Sequence, residues 1–223
     1  MGGVIGETLP AALGVAISPV PIIAVILMLL SPRAVGTSVG FMVGWVIGIG
    51  AVVTAVALLL DPADDGDAAD PSALSSWIKI GLGVLMLVLA AMQWRTRPRP
   101  GEDPKLPGWM NAIDRMNGVR AVGFGIVLSV ANPKNLPLCL AGGVTIAGGG
   151  LSGGEVTVGI VVFVAIAACS VVLPVVAYLV ARDRIQDELN GLREWLSANN
   201  ATVMTLLLLV LGVVILGKGI GGF

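Results

Sequence analysis

The chain has 223 residues, 56% of them hydrophobic and 12% charged, with a formal net charge of −1 and a mean hydropathy of +0.96. A soluble domain carries about 25% charged residues, so composition argues against a water-soluble fold, and no basic tract with interleaved aromatics points to nucleic acid. There is no histidine, and the two cysteines, Cys139 and Cys169, lie in apolar runs. They read as small buried hydrophobes, which leaves no imidazole-bound metal and no cofactor to expect.

The apolar runs approach the roughly 20 residues that cross a bilayer. In chain order, six spans are predicted at about 4–30, 36–60, 74–94, 119–147, 156–180 and 201–217. The amino terminus lacks a basic n-region and Glu7 is its first charge, so the run from residue 9 to 30 reads as a span and not as a cleaved signal. Span two carries Gly36, Gly40, Gly44 and Gly48 at four-residue spacing, a small-residue face suited to close helix crossing. Packing within one protomer is the plainer reading of that face, and a homodimer interface the sharper one. After span two comes an acidic loop with Asp61, Asp64, Asp65, Asp67 and Asp70. After span three comes a basic stretch, 95–118, with Arg95, Arg97, Arg99, Lys105 and Arg115. Trp77, Trp94 and Trp109 suit membrane interfaces, and Trp109, Ile113 and Met116 suggest a short amphipathic helix.

The fourth span contains Asn132-Pro133-Lys134-Asn135-Leu136-Pro137. Proline removes a backbone donor and clashes with the preceding turn, so this span must break. Broken backbone at membrane depth survives only where protein or a water-filled cavity covers it. Lys134 lies 15 residues beyond Val119, about 22 Å of helix, too deep for easy snorkelling. The first span carries a matching break at Ser18-Pro19-Val20-Pro21. A glycine-rich loop with Gly148, Gly149, Gly150, Gly153 and Gly154 follows span four and lacks the lysine of a phosphate-binding loop. Near the end, Ile185, Leu189, Leu192, Trp195 and Leu196 repeat at helical spacing beside Arg182, Arg184 and Arg193, predicting an amphipathic surface helix at about 183–196.

The positive-inside rule puts Arg33, the 95–118 stretch and the Arg182–Arg193 stretch in the cytoplasm, and both termini outside. Lys218 is a lone basic residue near the outer end. Spans one to three and four to six then run in opposite directions. The fold class expected is an all-α membrane protein of two inverted three-helix repeats, residues 1–94 and 119–223, joined by the 95–118 linker, with broken first and fourth helices. Paired broken helices point to a midplane binding site. Half-helix N-termini and Lys134 suit an anionic group such as phosphate, sulfate or carboxylate. Asn132, Asn135 and Ser18 add neutral hydrogen-bonding groups, and Pro19, Pro21, Pro133 and Pro137 set the helix ends. No acidic residue lies in mid-span, which argues against a cation site or a carboxylate proton relay, although Glu7 and Glu155 stand near span ends.

In length, in its six spans, in Ser18-Pro19 and in Asn132-Pro133-Lys134, the chain resembles the LysE superfamily of exporters. It is most similar to the actinobacterial GAP/Sap-like branch, linked to moving glycolipids to the cell surface. The resemblance implies a carrier or flippase. Amino-acid exporters of the superfamily usually carry Gly-Pro where Ser18-Pro19-Val20-Pro21 stands. Cation exporters of the wider group carry intramembrane Asp or His, which this chain lacks. The expected function is transport of an anionic lipid or glycolipid across the inner membrane. Export of a small polar metabolite such as an amino acid, and an accessory role in a lipid-export machine, are the alternatives. An enzyme is not expected, since no nucleophile–base pair is visible.

Overall fold

The computed structural model describes residues 1–60, 71–95, 97, 113, 115–181 and 185–222. The acidic loop, Arg99, Lys105, Trp109, Arg182 and Arg184 lie outside the described residues. Eight α-helices and no strand occur among them: α1 (Gly2–Ala16), α2 (Pro19–Leu29), α3 (Ala34–Leu59), α4 (Pro71–Arg95), α5 (Gly118–Ala131), α6 (Asn135–Ala147), α7 (Gly153–Ala181) and α8 (Gln186–Ile220). In the described residues α3, α4, α7 and α8 are each long and apolar enough to cross a membrane. The pairs α1–α2 and α5–α6 are bent by 51° and 73° at short breaks, giving up to six spans if each pair is one.

Both breaks fall at the prolines. Pro19 is the first residue of α2, and Pro21 the third. Pro137 is likewise the third residue of α6. The first four N–H groups of a helix have no partner inside it, so proline is tolerated there while it ends whatever helix precedes it.

The molecule keeps its apolar surface outward as well as inward. Between 28% and 39% of the most apolar window of each long helix is buried, and residues such as Leu59, Val119 and Val180 are more than four-fifths exposed. Soluble monomers do not leave such contiguous apolar faces in water, whereas hydrocarbon accepts them at no cost. The chain is a multi-pass membrane protein.

The two halves interleave. α3 packs along α5, and α1 packs along α7; α3 meets α6, and α7 meets α2; α4 meets α6, and α8 meets α2. α3 also meets α7 and α4 meets α8, so exchanging α1–α4 with α5–α8 returns most contacts to themselves. The α1–α6 contact has no counterpart of comparable size.

Small residues allow the closest crossings. A Cβ on Gly44 would stand 2.8 Å from the carbonyl carbon of Val122 and closer still to its oxygen. One on Gly40 would strike the Gly118 carbonyl oxygen, and one on Gly48 the Ser129 hydroxyl. The glycine face of α3 is therefore filled by α5 of the same chain. That settles Gly40, Gly44 and Gly48 as internal packing and removes them as a dimer surface.

Two peripheral expectations change. The predicted amphipathic helix at 183–196 is not separate: α8 runs unbroken through it into the last span, over 35 residues. Its apolar face also divides, with Leu189 and Leu196 buried while Leu192 and Trp195 stay exposed. Asn199 bonds back to the Trp195 carbonyl at 2.9 Å, the local side-chain bond that lets Asn199-Asn200 continue as helix. Ile113 belongs to the core, 1% exposed, with Met116 packed against it.

Candidate functional site

The site is where the two breaks meet. Beyond Leu13, whose carbonyl accepts from Ile17, α1 runs out of donors. Val15 and Ile17 would be served by the N–H groups of residues 19 and 21, but both are proline. The C-terminal end of α1 thus presents bare carbonyls and the negative end of its dipole inside the protein.

Lys134 fills that gap. It is 0% exposed, and its Nζ donates to the Gly14 carbonyl at 2.7 Å and the Ile17 carbonyl at 3.1 Å. Gly14 makes the approach feasible: a Cβ there would sit 2.9 Å from Leu138 Cδ1 on α6. The lysine does not snorkel. It crosses from the N-cap of α6 to the first half of the chain, more than a hundred residues away, and neutralises a helix end. Charge-assisted bonds of this kind are about twice as strong as neutral ones.

Asn132 has a local task. Its Oδ1 accepts from the Lys134 backbone N–H at 3.0 Å, and its carbonyl accepts from Leu136 N–H at 3.1 Å. That turn carries the chain from α5 to α6 without leaving Pro133 a ladder bond to break. The consequence is that the α6 N-terminus has fewer free N–H groups than expected. The same holds for α2, where two of the first three residues are proline. Anion affinity at either helix start must come from side chains and dipole more than from a row of amides.

Ser18 and Asn135 are the unusual members. Ser18 is 1% and Asn135 0% exposed, yet Ser18 Oγ and both side-chain atoms of Asn135 have no hydrogen-bond partner among the described residues. Each such orphan costs about 1–3 kcal/mol, and native proteins carry few of them. Ser18 follows Ile17, and Asn135 follows Lys134, so the Lys134–Ile17 bond brings the two polar side chains to one junction. The junction offers a cation, an amide and a hydroxyl inside an apolar wall of Leu138, Val15 and Ile26, all buried. Such a set can hold an oxyanion or a sugar hydroxyl.

The eight residues singled out in the sequence, Ser18, Pro19, Pro21, Asn132, Pro133, Lys134, Asn135 and Pro137, all lie at these two breaks. Gly14 and Ile17 were missed. The signal was present, since a proline four residues after Ile17 leaves its carbonyl without a helical donor. Glu155 is occupied otherwise: its Oε2 accepts from both the N–H and the hydroxyl of Ser152 at 3.0 Å, a cap at the start of α7. Cys139 is buried, Cys169 partly so, and both are free thiols. Among the described residues no group of His, Cys, Asp and Glu could hold a metal ion.

No match to a curated protein or to a solved structure was found. A family model does match, over residues 8–221, and its description is Sap, sulfolipid-1-addressing protein. With nearly the whole length of the bundle matched, both broken helices included, the chain belongs to that family.

Proposed function

We propose that this protein is a lipid transporter, moving an anionic lipid or glycolipid headgroup across the inner membrane toward the cell surface. The family description names sulfolipid-1 addressing, and a sulfated or otherwise anionic glycolipid is the substrate class that reading favours. The carrying observation is the junction: a fully buried cation held only by backbone carbonyls, beside buried Ser18 and Asn135 side chains with no partner. A headgroup oxyanion arriving there exchanges for the Gly14 and Ile17 carbonyls on Lys134 and gives Asn135 and Ser18 the partners they lack. The exchange releases the α1 end from α6, which loosens the two halves at one point and couples binding to movement. This is how paired broken helices serve in inverted-repeat carriers.

The wider reading has six spans, each bent pair counting as one, in two inverted repeats related as in the LysE superfamily, with both termini extracytoplasmic. It is supported by the near-exchangeable contacts of α1–α4 and α5–α8 and by bends well short of a reversal. No group of this chain is assigned a chemical step on the lipid, so the protein is read as a carrier and not an enzyme. The driving force is a gradient, a partner, or consumption of the lipid on the far side.

The test is a lipid inventory of cells lacking the protein, comparing surface-extractable with total lipid. A lipid retained inside at unchanged total, restored by wild type but not by Lys134→Met, supports the carrier. Unchanged distribution sinks it. One observation favours a second reading, an accessory scaffold in a lipid-export machine: Lys134 already has two acceptors, as a purely structural lysine would. On that reading Asn135 is dispensable, and Asn135→Leu leaves lipid export intact.

A further inference from the structure

A second cluster of charge lies away from the breaks. A cleft between α1, α4, α6 and α8, of about 280 Å³, is lined by Glu7, Pro10, Lys79, Thr145, Ile215 and Lys218 among others. At about 30 Å³ per water, that is room for a tetrahedral oxyanion with the first carbons attached to it. Lys79 and Lys218 sit in apolar helices where a charge is costly and marks a functional position by default. Their juxtaposition follows from close packing. A Cβ on Gly219 would stand 2.8 Å from the backbone nitrogen of Ile80 and 3.0 Å from the Ser76 carbonyl oxygen. The neighbours in sequence, Lys218 and Lys79, are thereby held at one level, where Lys218 feels the charges of both Lys79 and Glu7.

The charges do not cancel. Two ammonium groups face one carboxylate, and that carboxylate belongs to an exposed residue. The Lys218 ammonium donates to the Glu7 backbone carbonyl instead of to its carboxylate. Lys79 and the Thr145 hydroxyl make no hydrogen bond among the described residues. A half-buried cleft with surplus positive charge and spare donors is built for an anion.

The geometry points to this cleft as a second anion site, which takes a phosphate or sulfate group through the ammonium groups of Lys79 and Lys218, with the Thr145 hydroxyl as a further donor. α6 links it to the first site. Asn135 begins α6 at the break and Thr145 lies ten residues on, about 15 Å along the axis, or half of a hydrocarbon core of about 30 Å. The two stations thus stand at mid-depth and at one face of the same helix. That both take the same headgroup rests on the transport reading above; the cleft itself does not.

The experiment uses the full chain in nanodiscs of phosphatidylcholine, with phosphatidylglycerol as the lipid-borne oxyanion and inorganic sulfate as the free one. Native mass spectrometry counts retained phosphatidylglycerol, and thermal melting reads stabilisation by either probe. The expected result is retention by wild type and by Lys134→Met, and a fall of about tenfold or more in affinity for the Lys79→Gln/Lys218→Gln double variant, the loss of one charge-assisted bond or more. The charge-conserving Lys79→Arg/Lys218→Arg variant keeps binding, which separates charge from folding. Sulfate that protects the wild type from melting and displaces phosphatidylglycerol assigns the site to a free oxyanion and still supports it. Equal binding by wild type and the glutamine variant overturns it. Because the readout is binding, failure of the cleft leaves the Lys134 transport test unaffected, and the reverse.

Discussion

Lys134→Met removes the ammonium at nearly constant side-chain length, and its effect on stability can be worked from the two bonds. Gly14 and Ile17 each lose their donor. Two orphaned carbonyls at about 1–3 kcal/mol apiece destabilise the fold by about 2–6 kcal/mol. Against this, a charge is no longer carried into the membrane, which recovers about 2.5–3.5 kcal/mol. The net lies between about 1.5 kcal/mol of gain and about 3.5 kcal/mol of loss. A protein of this size tolerates that, so the variant should insert and accumulate with a modest shift in melting temperature in detergent. Transport should behave differently. A headgroup bonded to the ammonium loses about 1.5–3 kcal/mol per charge-assisted bond, or at least about tenfold for each. Lipid redistribution in cells or proteoliposomes, normalised to protein abundance, is the assay. Wild-type transport at normal abundance would refute the headgroup role of Lys134. A variant that fails to fold at all would refute the energetic comparison, because it would mean the carbonyls dominate the charge.

Asn135→Leu should raise the melting temperature, since it removes two buried unpartnered atoms at about 1–3 kcal/mol each, while transport falls; a stabilised variant with full transport would argue that the amide meets no substrate. Gly44→Ala should destabilise by about 1–3 kcal/mol, because its Cβ meets Val122 backbone, whereas Gly36→Ala, with nothing within 4 Å, should be neutral or mildly stabilising; denaturation of the pair in one detergent checks both. Ser152→Ala removes the cap that Glu155 completes at α7 and should cost about 0.5–2 kcal/mol with transport intact, as read by melting and by the lipid inventory.

Much of this arrangement could be read from the chain because membrane burial leaves a coarse mark. Apolar runs of sufficient length found α3, α4, α7 and the core of α8 to within a few residues, and prolines located both breaks. The pairing of Ser18-Pro19-Val20-Pro21 with Asn132–Pro137 was visible as a repeat of chemistry. What Lys134 bonds was not visible, because its acceptors are backbone carbonyls, which every residue carries and no side chain reports. The continuity of α8 was hidden for a related reason. Gln186, Asn199 and Asn200 look like the ends of elements in isolation, and only the local bond from Asn199 to Trp195 with packing along α4 carries the helix through. The division of its apolar face, Leu189 and Leu196 inward but Leu192 and Trp195 outward, depends on which neighbour lies alongside, and periodicity cannot supply that.

The interleaving of the halves bears on how the protein is made. α3 ends at Leu59 and its glycine face waits for α5, which begins at Gly118. Those 59 intervening positions, at about 5–20 residues per second of synthesis, leave the groove of α3 bare for several seconds in the insertion machinery or the bilayer. The carbonyls of Gly14 and Ile17 wait longer still, until residue 134 arrives. A nascent chain stalled after α4 therefore displays the marks by which quality-control proteases recognise an incomplete membrane protein. Residues 1–95 expressed alone should be short-lived, and co-expression of residues 96–223 as a separate polypeptide should rescue them by supplying α5, α7 and the lysine in trans.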